Sequence, residues 1–137
     1  MHNSALITDK GEFLLQGDNT YRQLCLPEEL SKVVNFFPEF RKIDLCAEKV
    51  YVQNVALSFA SGHALCKDLE TGRTRTFGWG NSEKGQVGTG GTLTQYLPTE
   101  ITSLLPPNVV EIAAGSFHII ARTEDDRLFG WGKGSRG

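Results

Sequence analysis

An internal repeat constrains this chain more than any other feature of its sequence. Thr76-Phe77-Gly78-Trp79-Gly80 returns 52 residues later as Leu128-Phe129-Gly130-Trp131-Gly132. A decayed third copy, Phe13-Leu14-Leu15-Gln16-Gly17, lies 63 residues before the middle one. The likeness runs on past the glycine: Gly80 to Gly88 aligns with Gly17 to Cys25, and Gly132-Lys133-Gly134-Ser135-Arg136-Gly137 begins the same loop. It also runs backwards, because Asn3 to Thr8 superposes without a gap on His118 to Thr123. In the middle copy the matching start reads as His63-Ala64-Leu65-Cys66, with a turn, Asp68 to Gly72, longer by about three residues; the Val52 to Ala60 region also admits a frame shifted by two. A unit repeated at this spacing cannot bury its apolar face alone, so it must stack on copies of itself.

The segments around the turns read as strands. Ala5 to Thr8 and Glu12 to Leu15 flank Asp9-Lys10-Gly11 as a hairpin, and Ile119 to Arg122 and Arg127 to Phe129 flank Glu124-Asp125-Asp126 as another. Val109 to Ala114 reads as a buried strand ending at Gly115, and Val50 to Val52 with Val55 to Leu57 fills that place one repeat earlier. Pro98, Pro106 and Pro107 read as loop punctuation. Apolar residues at 30, 33, 34 and 37 have helical spacing, so a short helix is expected near 28–37, inserted between strands. The fold class is therefore all-β: four short antiparallel strands per unit, repeated every 52–63 residues and stacked in the manner of propeller blades.

Composition narrows the rest. Three of the 15 glycines lie in residues 1–68 and twelve in 69–137, where the repeat is best kept. Leu, Ile, Val and Phe number 37 of 137 residues, enough for a core and against disorder. Fourteen basic residues face 16 acidic ones, which argues against a tail that neutralises nucleic acid. No stretch offers the roughly 20 apolar residues of a spanning helix, and the N-terminus has no secretory pattern, so a cytoplasmic or nuclear location is expected. Cys25, Cys46 and Cys66 form no C-x-x-C pair and read as buried or half-buried thiols in a reducing compartment.

Ala113-Ala114-Gly115-Ser116-Phe117-His118 followed by Leu128-Phe129-Gly130-Trp131-Gly132 resembles the repeat of the regulator of chromosome condensation family. So does Phe77-Gly78-Trp79-Gly80 followed by Gly85-Gln86-Val87-Gly88-Thr89-Gly90, then Pro98 and Ile101. The first copy departs from the pattern, with Gln16 in the place of Trp, and Arg22 and Cys25 in the places of Gly. The resemblance implies an incomplete β-propeller: two to two-and-a-half four-stranded antiparallel blades of a seven-bladed ring. On that reading residues 1–62 are a degenerate first repeat with an insertion, 63–117 a well-formed repeat and 118–137 a third repeat cut short. Two or three blades cannot close a ring, so the chain is expected to be a piece of a longer propeller with apolar faces exposed at both ends.

The residues point to scaffolding rather than chemistry. Trp79 and Trp131 are expected to pack between blades, and His63 and His118 to form structural hydrogen bonds at strand starts. The Gly85 to Gly91 run lacks the strand-loop-helix setting and the Lys-Ser/Thr end of a phosphate loop. Glu124-Asp125-Asp126 reads as a solvated turn, and Arg73, Arg75 and Lys84 as part of a mixed surface interrupted by Glu70 and Glu83. No catalytic, cofactor or metal-ligating set is expected. The loops after the Trp-Gly pairs vary around a fixed frame, which makes Asn81, Ser82, Glu83, Lys84, Lys133, Ser135 and Arg136 the candidate partner contacts. The expected role is a non-catalytic protein-interaction module. The resemblance implies two alternatives, guanine-nucleotide exchange on a small Ras-like GTPase and chromatin or histone binding. It also implies that other domains, such as those of ubiquitin ligases or kinases, can accompany such repeats.

Overall fold

The computed structural model describes residues 3–19, 23–45, 49–58, 61–81, 87, 94–101, 109–115 and 118–132. Among the described residues ten strands form three antiparallel sheets. The first holds β1 (Asn3–Ile7), β2 (Phe13–Asp18) and β3 (Phe36–Lys42) in the order β1-β2-β3. Between β2 and β3 lies α1 (Glu28–Ser31). The middle sheet holds β4 (Val50–Leu57), β5 (Ser61–Asp68), β6 (Thr74–Gly80) and β7 (Gln95–Ile101) in sequence order. The third holds β8 (Val109–Ala114), β9 (His118–Thr123) and β10 (Leu128–Gly132).

The registers show which residues are equivalent. Gly17, Gly80 and Gly132 stand opposite Asn3, Ser61 and His118 in turn. Val52 pairs with Cys66 and Asn54 with Leu65, around a bulge; Val109 pairs with Thr123 and Glu111 with Arg122, around the same bulge. The middle repeat therefore uses the frame shifted by two. Ser61, not His63, occupies the place of His118, and the β5–β6 turn exceeds the β9–β10 turn by five residues rather than three. The reason is local: Ser58 N–H bonds Ser61 O at 2.9 Å as Gly115 N–H bonds His118 O at 2.8 Å, so serines build the corner that glycine and histidine build elsewhere.

Two other expectations change. The helix is one turn long, and Phe36 and Phe37 belong to β3. Phe37 precedes Pro38, whose ring excludes the helical conformation from the residue before it, so the chain extends. Pro98 lies inside β7 rather than in a loop. Both prolines sit on outermost strands, where a missing N–H costs no ladder bond on the free edge. Pro106 and Pro107 fall outside the described residues.

Two apolar clusters glue the sheets face to face. Phe13, Leu15, Ile43, Val52, Cys66, Phe77 and Trp79 fill the seam between the first and middle sheets. Leu65, Ala56, Val109, Ile112 and Ala121 fill the seam between the middle and third. The outer faces carry exposed apolar side chains, among them Leu6 at 50% and Leu128 at 68%. This is the pattern expected where a sheet stack is open at its ends.

Candidate protein-interaction surface

Each sheet sends its chain out at the same point, through a glycine with backbone angles closed to other residues. Gly17, Gly80 and Gly132 have φ of 114°, 102° and 106°. A Cβ is strained there, which explains why even the decayed first copy keeps Gly17. The residue opposite is polar in every sheet. Asn3 donates from its side-chain amide to Asp18 O at 2.6 Å, just past Gly17. Ser61 shares a 2.6 Å hydroxyl contact with Ser58. The His118 ring lies against Gly115, where a Cβ would stand 2.3 Å from it.

The tryptophans pack between sheets, as the sequence leads one to expect. Trp79 is fully buried, its ring 5.5 Å from that of Phe13. Its indole N–H donates to Gln23 O at 2.8 Å, which ties the middle sheet to the chain leaving the first. Gly62 makes room for the ring, since a Cβ there would meet the indole at 2.4 Å. Trp131 is half-buried in the other seam and its N–H reaches His63 Nε2 at 3.3 Å. The same nitrogen lies 3.0 Å from Val87 O, and Gly78 leaves the space in which Val87 O and the imidazole sit. His63 is thus a fully buried structural residue set between Val87 and Trp131, its Nε2 either donating to Val87 O or accepting from the Trp131 indole.

The loop after β2 shows how one such exit is held. Asn19 is buried. Its amide donates to Ser31 O and Oγ, both at 3.1 Å, and to Val34 O at 2.8 Å, while Leu24 N–H donates to its Oδ1 at 3.1 Å. One side chain therefore ties together three points of the connection between β2 and β3, at Leu24, Ser31 and Val34. Periodicity does not mark Asn19; its position two residues past the frame glycine, where Asn favours turns, is the available signal.

Of the candidate contacts, Asn81 is half-buried at the start of the loop after β6. Ser82, Glu83, Lys84, Lys133, Ser135 and Arg136 lie outside the described residues.

Several of the described charged groups pair with one another. Arg75 donates to both oxygens of Glu100 at 2.9 and 2.7 Å and lies 5.4 Å from the Phe77 ring. Arg122 bridges Glu111 and Asp126, and its hydrogen bonds to them hold its pKa above the ordinary value. Glu124, Asp125 and Asp126 are exposed in their turn, and the Thr123 hydroxyl lowers the pKa of Asp125. Burial pushes the Cys66 thiol up to about 12 and the Cys25 thiol up as well, so both are inert in the fold; Cys46 is outside the described residues. Among the described residues no group of three or more His, Cys, Asp or Glu side chains is placed to hold a metal, and no helix is long and apolar enough to cross a membrane.

Comparison with known proteins agrees with this geometry. Two family models of the regulator of chromosome condensation (RCC1) repeat match residues 75–122 and 109–137. The chain is 36% identical over 63 residues to the ultraviolet-B receptor UVR8 of Arabidopsis thaliana, a match that covers 46% of this chain and 14% of the receptor. The crystal structure of human WBSCR16 superposes with a TM-score of 0.78 at 27% identity, over 96% of this chain and 31% of that one. Yeast RCC1 (Prp20), solved with Kap60 bound, superposes with a TM-score of 0.78 at 18% identity, over 95% of this chain and 30% of that one. The chain thus spans a small part of the receptor and about a third of each propeller, and its stacked sheets form an incomplete β-propeller.

Proposed function

We propose that this chain, whose residues 75–137 match models of the RCC1 repeat, is an RCC1-repeat protein that acts as a non-catalytic protein-interaction module in the cytoplasm or nucleus. Its contacts would ride on the loops after the frame glycines of the middle and third sheets, through Asn81, Ser82, Glu83, Lys84, Lys133, Ser135 and Arg136. The observation that carries this reading is the repeated exit: three glycines at φ 102–114°, each opposite a polar residue, launch variable loops from one end of a packed frame. A rigid frame with variable loops lowers the ordering cost of binding, and near-balanced charge leaves specificity to loop chemistry. The related yeast propeller was solved with a protein partner, which is in keeping with such a role.

The test is affinity capture with the full chain, compared with Lys84→Glu/Arg136→Glu and Glu83→Lys variants that retain the wild-type circular dichroism. Loss of the same identified partners from the loop variants supports the reading. Acceleration of nucleotide release from a panel of Ras-like GTPases by the purified chain would replace it with an exchange activity.

A further inference from the structure

The two seams between sheets differ at the end that carries the β1–β2, β5–β6 and β9–β10 turns, opposite to the loops discussed above. At the first seam the short turn is bonded across: Gly11 O accepts from Val52 N–H at 2.8 Å, and Asp9 O from the Tyr51 hydroxyl at 2.7 Å. A nearby charge is paired there, Glu12 with Lys42. At the second seam the corresponding turn, Leu69 to Arg73, is longer and folds back on its own sheet, with Gly72 N–H on Asp68 O and Asp68 N–H on Arg73 O, both at 2.8 Å. Among the described residues no backbone bond joins it to the third sheet.

A groove of about 590 Å³ lies where that bond is missing. Lys67, Arg73 and Gln53 line it from the middle sheet, Val110 and Glu124 from the third. All five are exposed, and among the described residues the charged side chains of Lys67, Arg73 and Glu124 form no ion pair. Open space surrounds the Gly72 Cα on its side-chain side. Unpaired charges of both signs around a polar groove with one apolar contact suit a peptide. A phosphate group, free or in a nucleic acid backbone, would use the two cations but meet the Glu124 carboxylate.

We propose that this groove binds an extended peptide segment of mixed charge, its acidic side chain against Lys67 and Arg73 and its basic side chain against Glu124. The surface shares no residue with the loop contacts proposed above, so either reading can fail without the other.

The test pans a random heptapeptide display library against the full chain and measures the enriched peptides, as labelled synthetic probes, by fluorescence polarisation. Enriched peptides are expected to pair Asp or Glu with Lys or Arg. Lys67→Glu/Arg73→Glu should weaken them roughly tenfold, the loss of two exposed ion pairs, and Glu124→Lys should weaken them by a smaller factor. Peptides with the charges exchanged should regain affinity for the variant that combines Lys67→Glu, Arg73→Glu and Glu124→Lys. Circular dichroism and urea midpoints should not move, because these side chains are exposed. The proposal is overturned by a library that yields no enrichment, by peptides that bind the variants as well as the wild type, or by peptides lost only from the loop variants. A labelled oligo(dT) whose binding depends on Lys67 and Arg73 would overturn it too.

Discussion

Trp79→Ala should be far more damaging than Trp131→Ala, although the two residues occupy the same place in the repeat. Trp79 has no exposed surface, packs on Phe13 and Gly62, and donates to Gln23 O. Truncating a buried Trp to Ala costs about 3–5 kcal/mol, and stranding a buried carbonyl costs about 1 kcal/mol more. Trp131 is half-buried and loses about 2 kcal/mol on the same scale. A domain of this size has about 5–15 kcal/mol in total, so Trp79→Ala approaches the limit. The assay is urea unfolding followed by far-UV circular dichroism, which does not depend on the deleted fluorophore. With a slope of about 2 kcal/mol per molar, the midpoint should fall by about 2–3 M for Trp79→Ala and about 1 M for Trp131→Ala. Trp79→Phe keeps the fold populated and should lie between wild type and alanine. The chain has two tryptophans, so Trp131→Ala also leaves Trp79 as the sole emitter, and its emission should be blue-shifted. If Trp79→Ala shifts the midpoint no more than Trp131→Ala, the inter-sheet packing described here is wrong.

Other substitutions test separate links. Gly62→Ala puts a methyl group 2.4 Å from the Trp79 ring and should cost about 1–3 kcal/mol by overpacking, read from the same urea curves. Asn19→Ala removes bonds to Ser31, Val34 and Leu24; limited proteolysis should then cut the β2–β3 connection at least tenfold faster while β4–β6 stay protected. Cys66 has its thiol pKa raised from 9.0 to about 12 by burial, so the folded state holds a proton that the unfolded chain releases. Stability from this residue is therefore complete below about pH 9 and falls as pH rises toward 12; Cys66→Ala should flatten the alkaline part of the stability profile. At pH 8 iodoacetamide should leave both Cys25 and Cys66 unmodified until urea unfolds the chain.

Much of this architecture is legible locally. The turns Asp9-Lys10-Gly11 and Glu124-Asp125-Asp126 and their flanking apolar runs mark two hairpins, and both form in the expected places. The strand Phe36–Lys42 is hidden because Leu30, Val33, Val34 and Phe37 happen to have helical spacing, and only one turn of that segment is helical. The frame of the middle repeat is misread for a similar reason. A histidine at 63 invites alignment with His118, yet the corner is made by Ser58 and Ser61, whose hydroxyls do the same work with no shared residue type.

By itself the sequence determines the repeat, the all-β class, the sites of the frame glycines and the packing of the tryptophans between sheets. These follow from the recurrence of the Trp-Gly unit and from turn chemistry beside short apolar runs, all of it carried within a few residues along the chain. Only the tertiary structure decides which side chains meet across sheets. That Asn19 ties down Ser31 and Val34, that Trp131 meets His63, and that Lys67 and Arg73 face Glu124 over an open groove all depend on how sheets stack. Stacking is set by the summed shapes of two apolar faces, and no spacing along one strand records it.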